Sequence, residues 1–554
     1  MKKNFVKSRW LFTMLLFVTT MIMPSMMLAQ ESITPTRPKG NGRAEPYLIS
    51  NAAELYWFAG LVNGTLKNVV QDASANAILT KDIIVNKGVL DEYKNLVFGK
   101  DFIPWTPIGT YEDLYSGIFN GQGHTISGLY FNDSGASNVG LFGRIYEGKI
   151  LNVGVLDSYF QFGTRGGGGV CGENYEGILQ NCSNSSTVIG KNDYCDAGGV
   201  CGDNNGTVRD CKNTGSVSGE NTVGGVCGFS LGTIESCYNT GSVSGEKYVG
   251  GVIGSYINGT ITNCYYLENT ATGGMEGQDV PGKAEEMSEE QFASGEVAYL
   301  LAEGKALVEQ VWGQQLGKDR YPVLYSAYKV IKATQGDKDE NGNEDTYWAT
   351  FSNQTSDATL SVPSELNRTL NVYNATVRGG KLTLTERDNH QVAMDEGVLL
   401  KTNGEYVNAK ANETDGLLKV SYKKNHLVAT PAVAQTVTAN GYILYRLTYN
   451  DAIHKDRLGF YLSSIDGKSL KATPGKAYLK VSKKEAKTPS SAALTRSFVF
   501  GGGNETTGID EITIMGTDVQ RHGTIEGIFD LQGRKISNPT KGIYIKNNKK
   551  VIIK

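Results

Sequence analysis

The chain has 554 residues, which at roughly 100 to 200 residues per domain excludes one small fold and implies several domains. Its 68 glycines, against 13 prolines, are about 12% of the residues where about 7% is usual, and the excess lies between Ser116 and Gly274 without collagen's period. With 54 basic and 57 acidic side chains the net charge is −3, which excludes a global electrostatic attraction to nucleic acid or to an acidic membrane.

The first residues read as an export signal. Lys2, Lys3, Lys7 and Arg9 precede an apolar run from Trp10 to Met23, and Met27-Leu28-Ala29 before Gln30 fits signal-peptidase cleavage near Ala29. The run is too short for a stable membrane span, and no Cys follows it to carry a lipid anchor. Uncut, the same segment would act as a membrane anchor.

Next, Asn51 reads as the N-cap of an amphipathic helix with Glu54 three residues on, Leu55, Phe58, Ala59 and Val62 on one face, and Gly64 as its stop. A repeat follows. Asn213-Thr-Gly-Ser-Val-Ser-Gly-Glu220 recurs unchanged as Asn239 to Glu246, a displacement of 26 positions. The same frame aligns Gly168-Gly-Val-Cys-Gly172, Gly198-Gly-Val-Cys-Gly202, Gly224-Gly-Val-Cys-Gly228 and Gly250-Gly-Val-Ile-Gly254, with Asn138-Val-Gly-Leu-Phe-Gly143 as a degenerate earlier copy. Each unit has room for about three short strands with glycine corners, and one such unit cannot bury its own apolar face. Coils stacked about 4.8 Å apart would pair every backbone group with the coil above or below, so the pattern predicts a parallel β-helix of about seven coils.

These repeats, with Gly-Thr-Ile or Gly-Thr-Val and an Asn-Cys step behind them, resemble GLUG-type repeats of bacterial surface proteins over roughly residues 111 to 270. The resemblance implies a right-handed β-helix. Gly117-Ile-Phe-Asn-Gly-Gln-Gly-His-Thr-Ile-Ser-Gly-Leu129 is similar to the opening coil of such proteins. GLUG repeats also occur outside the catalytic part of IgA-cleaving metalloproteases, but this chain lacks the His-Glu-x-x-His that such an activity requires.

Seven of the eight cysteines fall into two columns of the repeat. Cys171, Cys201 and Cys227 share a slot with Phe142 and Ile253, and Cys182, Cys211, Cys237 and Cys264 share one with Val153. The apolar substitutes mark both slots as interior, where Cys serves as a small buried hydrophobe. Disulfide stapling between adjacent coils is the alternative, since the coil spacing falls within the usual Cα range. Cys195 fits neither column. A zinc site lacks its ligand spacing.

From Ser288 to Glu303 a second amphipathic helix, with Phe292, Val297 and Leu300 or Leu301 inward, is expected to close the other end of the solenoid with Trp312 and Tyr321 to Leu324. From Thr346 to about Phe500 the period changes to two, with hairpin turns expected at Gly379-Gly380, Asn403-Gly404 and Asn440-Gly441 and strands over Tyr442 to Tyr449 and Ala477 to Val481. This predicts an antiparallel β-sandwich, and the combination of Gly397-Val-Leu-Leu-Lys401, Gly459-Phe-Tyr-Leu462 and Lys476-Ala-Tyr-Leu479 resembles an accessory sandwich of Bacteroidales surface proteins. The last fifty residues, with Gly527-Ile-Phe-Asp-Leu-Gln-Gly-Arg534 and a hairpin at Asn547-Asn548, resemble a C-terminal sorting or surface-attachment domain of those bacteria. Its lysines and arginines from Arg534 onward could meet anionic lipopolysaccharide or serve only as a solvated edge.

Chemistry is scarce. Asp337 to Gly342 imitates half of a calcium loop, but Trp348 stands where a bidentate carboxylate is needed. His124, His390, His426, His454 and His522 are scattered. Glu220 and Glu246, stacked by the repeat, are the nearest approach to the carboxylate pair of a carbohydrate-active β-helix enzyme, although repeated turn residues are ordinarily solvated corners.

The expected fold is therefore all-β: a right-handed parallel β-helix followed by an antiparallel β-sandwich and a small C-terminal β domain. The expected division is 1–29 signal peptide, 30–75 N-terminal segment with capping helix, 76–272 parallel β-helix, 273–330 helical cap or linker, 331–503 β-sandwich and 504–554 sorting-like domain. No catalytic, cofactor or metal residue is assigned, and no binding residue is identified. The expected function is a noncatalytic adhesin or display protein, secreted or on the outer cell surface, binding a surface glycan or protein through the solenoid. Nucleic acid and a transmembrane span are not expected, and contact with the outer-membrane surface would run through the C-terminal domain. A polysaccharide lyase or glycoside hydrolase is the rival expectation.

Overall fold

The computed structural model describes residues 33–302, 305, 307–336, 346–411, 425–449, 458–464, 470–487 and 497–499, with short strands between 513 and 553 described by their backbone. The signal-peptide segment, the Asp337 to Gly342 loop, His454 and His522 lie outside the described residues, as does most of the sorting-like segment.

One repeat makes one coil. Cys201–Arg209 lies in a first sheet, Lys212–Asn213 and Val217–Ser218 in a second, and Thr222–Gly224 in a third before Cys227–Ser230 re-enters the first. The 26-residue displacement of the sequence is the register of the structure: Cys201 pairs Cys227, Val217 pairs Val243 and Val223 pairs Val249, all parallel. The solenoid has about eight turns where the repeat predicts about seven. The added turn comes from Tyr47–Ile49 pairing Ala77–Leu79, strands with no glycine signature to betray them.

Side chains stack in columns because register is kept from coil to coil. Ile150, Leu179, Val208, Ile234 and Ile261 form one fully interior column. A polar column runs beside it, Asn184 donating to Asn213 at 2.8 Å and Asn213 to Asn239 at 2.8 Å. Each of the last two amides also closes its own turn, through Gly215 and Gly241. At one edge Asn152, Asn181, Asp210, Ser236 and Asn263 all adopt positive φ, a single-residue left-handed corner that Asn and Asp tolerate best among residues with a Cβ. All eight cysteines are buried free thiols. Burial pushes the thiols of Cys171, Cys211, Cys227, Cys237 and Cys264 up, so they stay protonated and act as core filler. Cys195, outside both columns, is buried on the third sheet opposite Arg165.

The N-terminal helix spans Ala52–Val62, with the Asn51 side chain accepting from Glu54 N and Glu54 accepting in return from Ser50 N. Phe58 packs at 6.0 Å from both Tyr115 and Phe119 and so covers the apolar interior of the first coils. The second expected helix is two short ones, Glu289–Ser294 and Glu296–Leu301, because Gly295 at φ 96 ends the first. The segment behind them runs along the flank of the coils and is not confined to the open end. Trp312 Nε1 donates to Ser236 O at 3.0 Å, Tyr238 donates to Pro322 O at 2.7 Å, Lys305 pairs with Asp210 at 3.3 Å, and Tyr325 bonds Asn152 and Asn181.

Beyond the linker the strands turn antiparallel, as the change of period predicts, but they build three layers. Tyr347–Ser352, Leu370–Arg378 and Gly397–Thr402 form a middle sheet. On one side Ala349, Phe351, Val372 and Leu400 pack with Val407 and Ala409; on the other, Trp348, Tyr373 and Leu399 pack with Tyr445, Phe460 and Leu479. Gly379-Gly380 is the expected hairpin turn. Asn403-Gly404 and Asn440-Gly441 are not, because the strands flanking each belong to different sheets. A turn dipeptide marks a reversal but does not say whether the chain returns to the same sheet or crosses to the next. Gly542–Lys546 pairs antiparallel with Lys549–Ile553 at the C-terminus.

Candidate functional site

The residues singled out as nearest to catalysis do not assemble. Glu220 and Glu246 occupy exposed turns. His124 faces Asp82 at 3.4 Å, and His426 Nδ1 accepts from Val377 N. Among the described residues no group of three His, Cys, Asp or Glu is placed to hold a metal ion.

A different outward column gathers charge. Arg144, Glu173 and Asp203 stand on successive coils of the first sheet, followed by Phe229 and Ser255. Asp196, on the third sheet, sits one corner away in the coil of Asp203. The preceding coil packs tightly against that corner through Gly166, the partner of Asp196: a Cβ there would lie 3.0 Å from Asp203 N and overlap the Gly172 carbonyl, so only glycine lets the coils approach.

Arg144, Glu173 and Asp196 have fixed partners. Arg144 Nη2 lies 2.8 Å from Glu173 Oε1, with both side chains largely buried, and Asn138 Nδ2 donates to Glu173 Oε2 at 3.1 Å. The Thr222 hydroxyl bonds Asp196, and burial nonetheless raises the Asp196 carboxyl above its usual range. Asp203 is pushed up to about 7, by burial first and then by the negative charges around it, Asp196 foremost, with Arg144 opposing. Near neutral pH this column therefore offers one fixed carboxylate–guanidinium pair beside one carboxyl poised to hold or release a proton.

Aromatic rings frame the charges. The Arg144 guanidinium lies 4.7 Å from the Tyr111 ring centre and that of Arg165 lies 4.8 Å from it, so both cations share one exposed ring. Tyr146 and Tyr175, opposite each other on adjacent coils, stack at 5.7 Å and 21° and are both exposed. Further along the same edge the column continues through polar Asn205 to Leu231 and Ile257, which are 44% and 53% exposed, so the two apolar pairs are separated by one polar coil. Flat exposed rings at coil spacing, flanked by fixed cations and carboxylates, suit a ligand with apolar faces and polar rims.

The sequence held one trace of this site. Gly172-Glu173-Asn174 and Gly202-Asp203-Asn204 carry an acid in the same repeat slot, where Gly228-Phe229-Ser230 and Gly254-Ser255-Tyr256 do not. Asp196 leaves no such trace, because only the corner brings it near.

No protein-family model matches the chain. Over 185 residues it is 32% identical to Halomucin from Haloquadratum walsbyi, a match covering 33% of this chain and 2% of that protein. The chain thus spans a very small part of that relative's length. A crystal structure of "a putative immunoglobulin A1 protease from Bacteroides ovatus" aligns over 52% of this chain and 94% of that one, at 20% identity and a TM-score of 0.37.

Proposed function

We propose that the chain is a noncatalytic secreted or cell-surface adhesin or display protein whose solenoid face binds a surface glycan. The observation that carries this reading is the exposed Tyr146–Tyr175 stack beside Tyr111, Arg144 and Arg165. The C–H face of a sugar ring packs on an aromatic ring, while charged groups at the rim accept or donate to its hydroxyls. The export signal, the likeness to GLUG-repeat surface proteins of Bacteroidales and the sorting-like tail support an outer-surface setting, and so does the match to Halomucin. No helix among the described residues is long and apolar enough to cross a membrane.

The test is a glycan array and a cell-adhesion assay with the mature chain. Tyr146→Ala with Tyr175→Ala is expected to weaken binding at least tenfold while the fold is kept, with a cooperative melting transition only modestly below the parent's, since both rings are partly exposed and stack on each other. Binding that survives the double substitution would remove this face from the function.

The second reading is a carbohydrate-active enzyme, favoured by the raised carboxyl of Asp203. A carboxylic acid with a pKa near 7 is the kind of group that protonates a leaving sugar oxygen.

A further inference from the structure

Between the middle and outer sheets of the C-terminal half lies a cavity of about 300 Å³ lined by Lys332, Arg446, Lys471 and Lys476, with Trp348 and Tyr478 among its walls. Its described lining contains no Asp or Glu. Lys332 has a partner outside the cavity, Glu405 at 3.0 Å, and the other three cations have no ion pair to a described carboxylate.

Lys476 is built in rather than draped over the rim. Its backbone N donates to Thr430 Oγ1 at 3.2 Å, and its backbone carbonyl accepts from Thr430 N at 3.0 Å and from the Ser352 hydroxyl, which fixes the main chain from which the side chain reaches the cavity. The residue is partly covered on the cavity wall, and that burial pulls its ammonium below the ordinary lysine value. A covered cation that meets no described carboxylate costs stability, and three cations around one cavity repel one another. An anion would relieve both. Threonine side chains make up much of the remaining wall, and an indole and a phenol ring are also present. Inorganic anions need neither, whereas a hydroxylated ring uses both, and the volume lies at the lower end of small-ligand sites.

We infer that this cavity binds the acidic residue of a glycan, a single carboxylated or sulfated monosaccharide unit. This site is separate from the solenoid face and stands whether or not that face binds sugar.

The mature chain should be titrated by calorimetry with glucuronate, glucose 6-sulfate, glucose and sodium sulfate. Saturable binding of the two acidic sugars is expected, weakening as salt rises. Glucose should bind at least tenfold more weakly. Lys476→Met, and separately Arg446→Met on the exposed rim, should each weaken the acidic sugars tenfold or more without lowering the melting temperature. The inference is overturned if neither acidic sugar saturates, if both Met variants bind as the parent does, or if sodium sulfate binds as tightly as the sugars.

Discussion

Replacing Asn213 with Leu is expected to cost about 3 to 5 kcal/mol, from several buried partners losing their bonds at roughly 1 to 3 kcal/mol each without full additivity. The side chain is fully buried and fits the space a Leu would take, so the loss is one of polarity and not of volume. Asn184 loses the acceptor at 2.8 Å, Asn239 loses its donor at 2.8 Å, and the Gly215 N–H and C=O are both left unpaired inside the protein. Cys237→Val in the neighbouring column is the control. Val153 already occupies that slot and the volume change is small, so less than about 1 kcal/mol is expected. Urea unfolding of the two variants and the parent measures both. Equal midpoints for Asn213→Leu and Cys237→Val would show that the asparagine column carries no stability.

Gly224→Ala is expected to be comparably damaging, by more than about 3 kcal/mol, through overpacking against immobile backbone. A Cβ there would overlap the Cys227 carbonyl oxygen and stand 2.7 Å from Gly254 N in the next coil, so the coil stacking itself would have to give. Gly135→Ala is the matched control, because its nearest neighbour would be the Asp133 carboxylate at 3.4 Å. That change should lie within about 1 kcal/mol of the parent. Soluble yield and thermal midpoint read the difference. A Gly224→Ala protein that melts with the parent would mean that the coils are not packed at this spacing.

These two positions show what the sequence could convey. The octapeptide repeat announces the coil length, and the apolar substitutes of the cysteine columns announce which side faces in, so the solenoid was legible from self-alignment alone. The first strand was not, because Tyr47–Ile49 stacks on Ala77–Leu79 without a glycine-cornered repeat of its own and so fell outside the expected 76–272 solenoid. In the C-terminal half the period of two is faithful to strands, but a middle sheet covered on both faces shows neighbouring residues such as Leu399 and Leu400 packing in opposite directions. Such a run gives no sign of how many layers enclose it. The candidate site was the least legible. Stacking joins Arg144, Glu173 and Asp203, which are about one coil apart in sequence, and the raised carboxyl of Asp203 depends on burial that no local motif encodes.

Recognition without turnover at the solenoid face is tested by incubating the mature chain with the polysaccharides bearing its array ligands and following chain length and new reducing ends over time. The polysaccharide should be retained with no shortening, at pH values on either side of 7 where Asp203 changes charge. Depolymerisation by the parent that Asp203→Asn abolishes would contradict recognition without turnover and make the column of Arg144, Glu173 and Asp203 an active site.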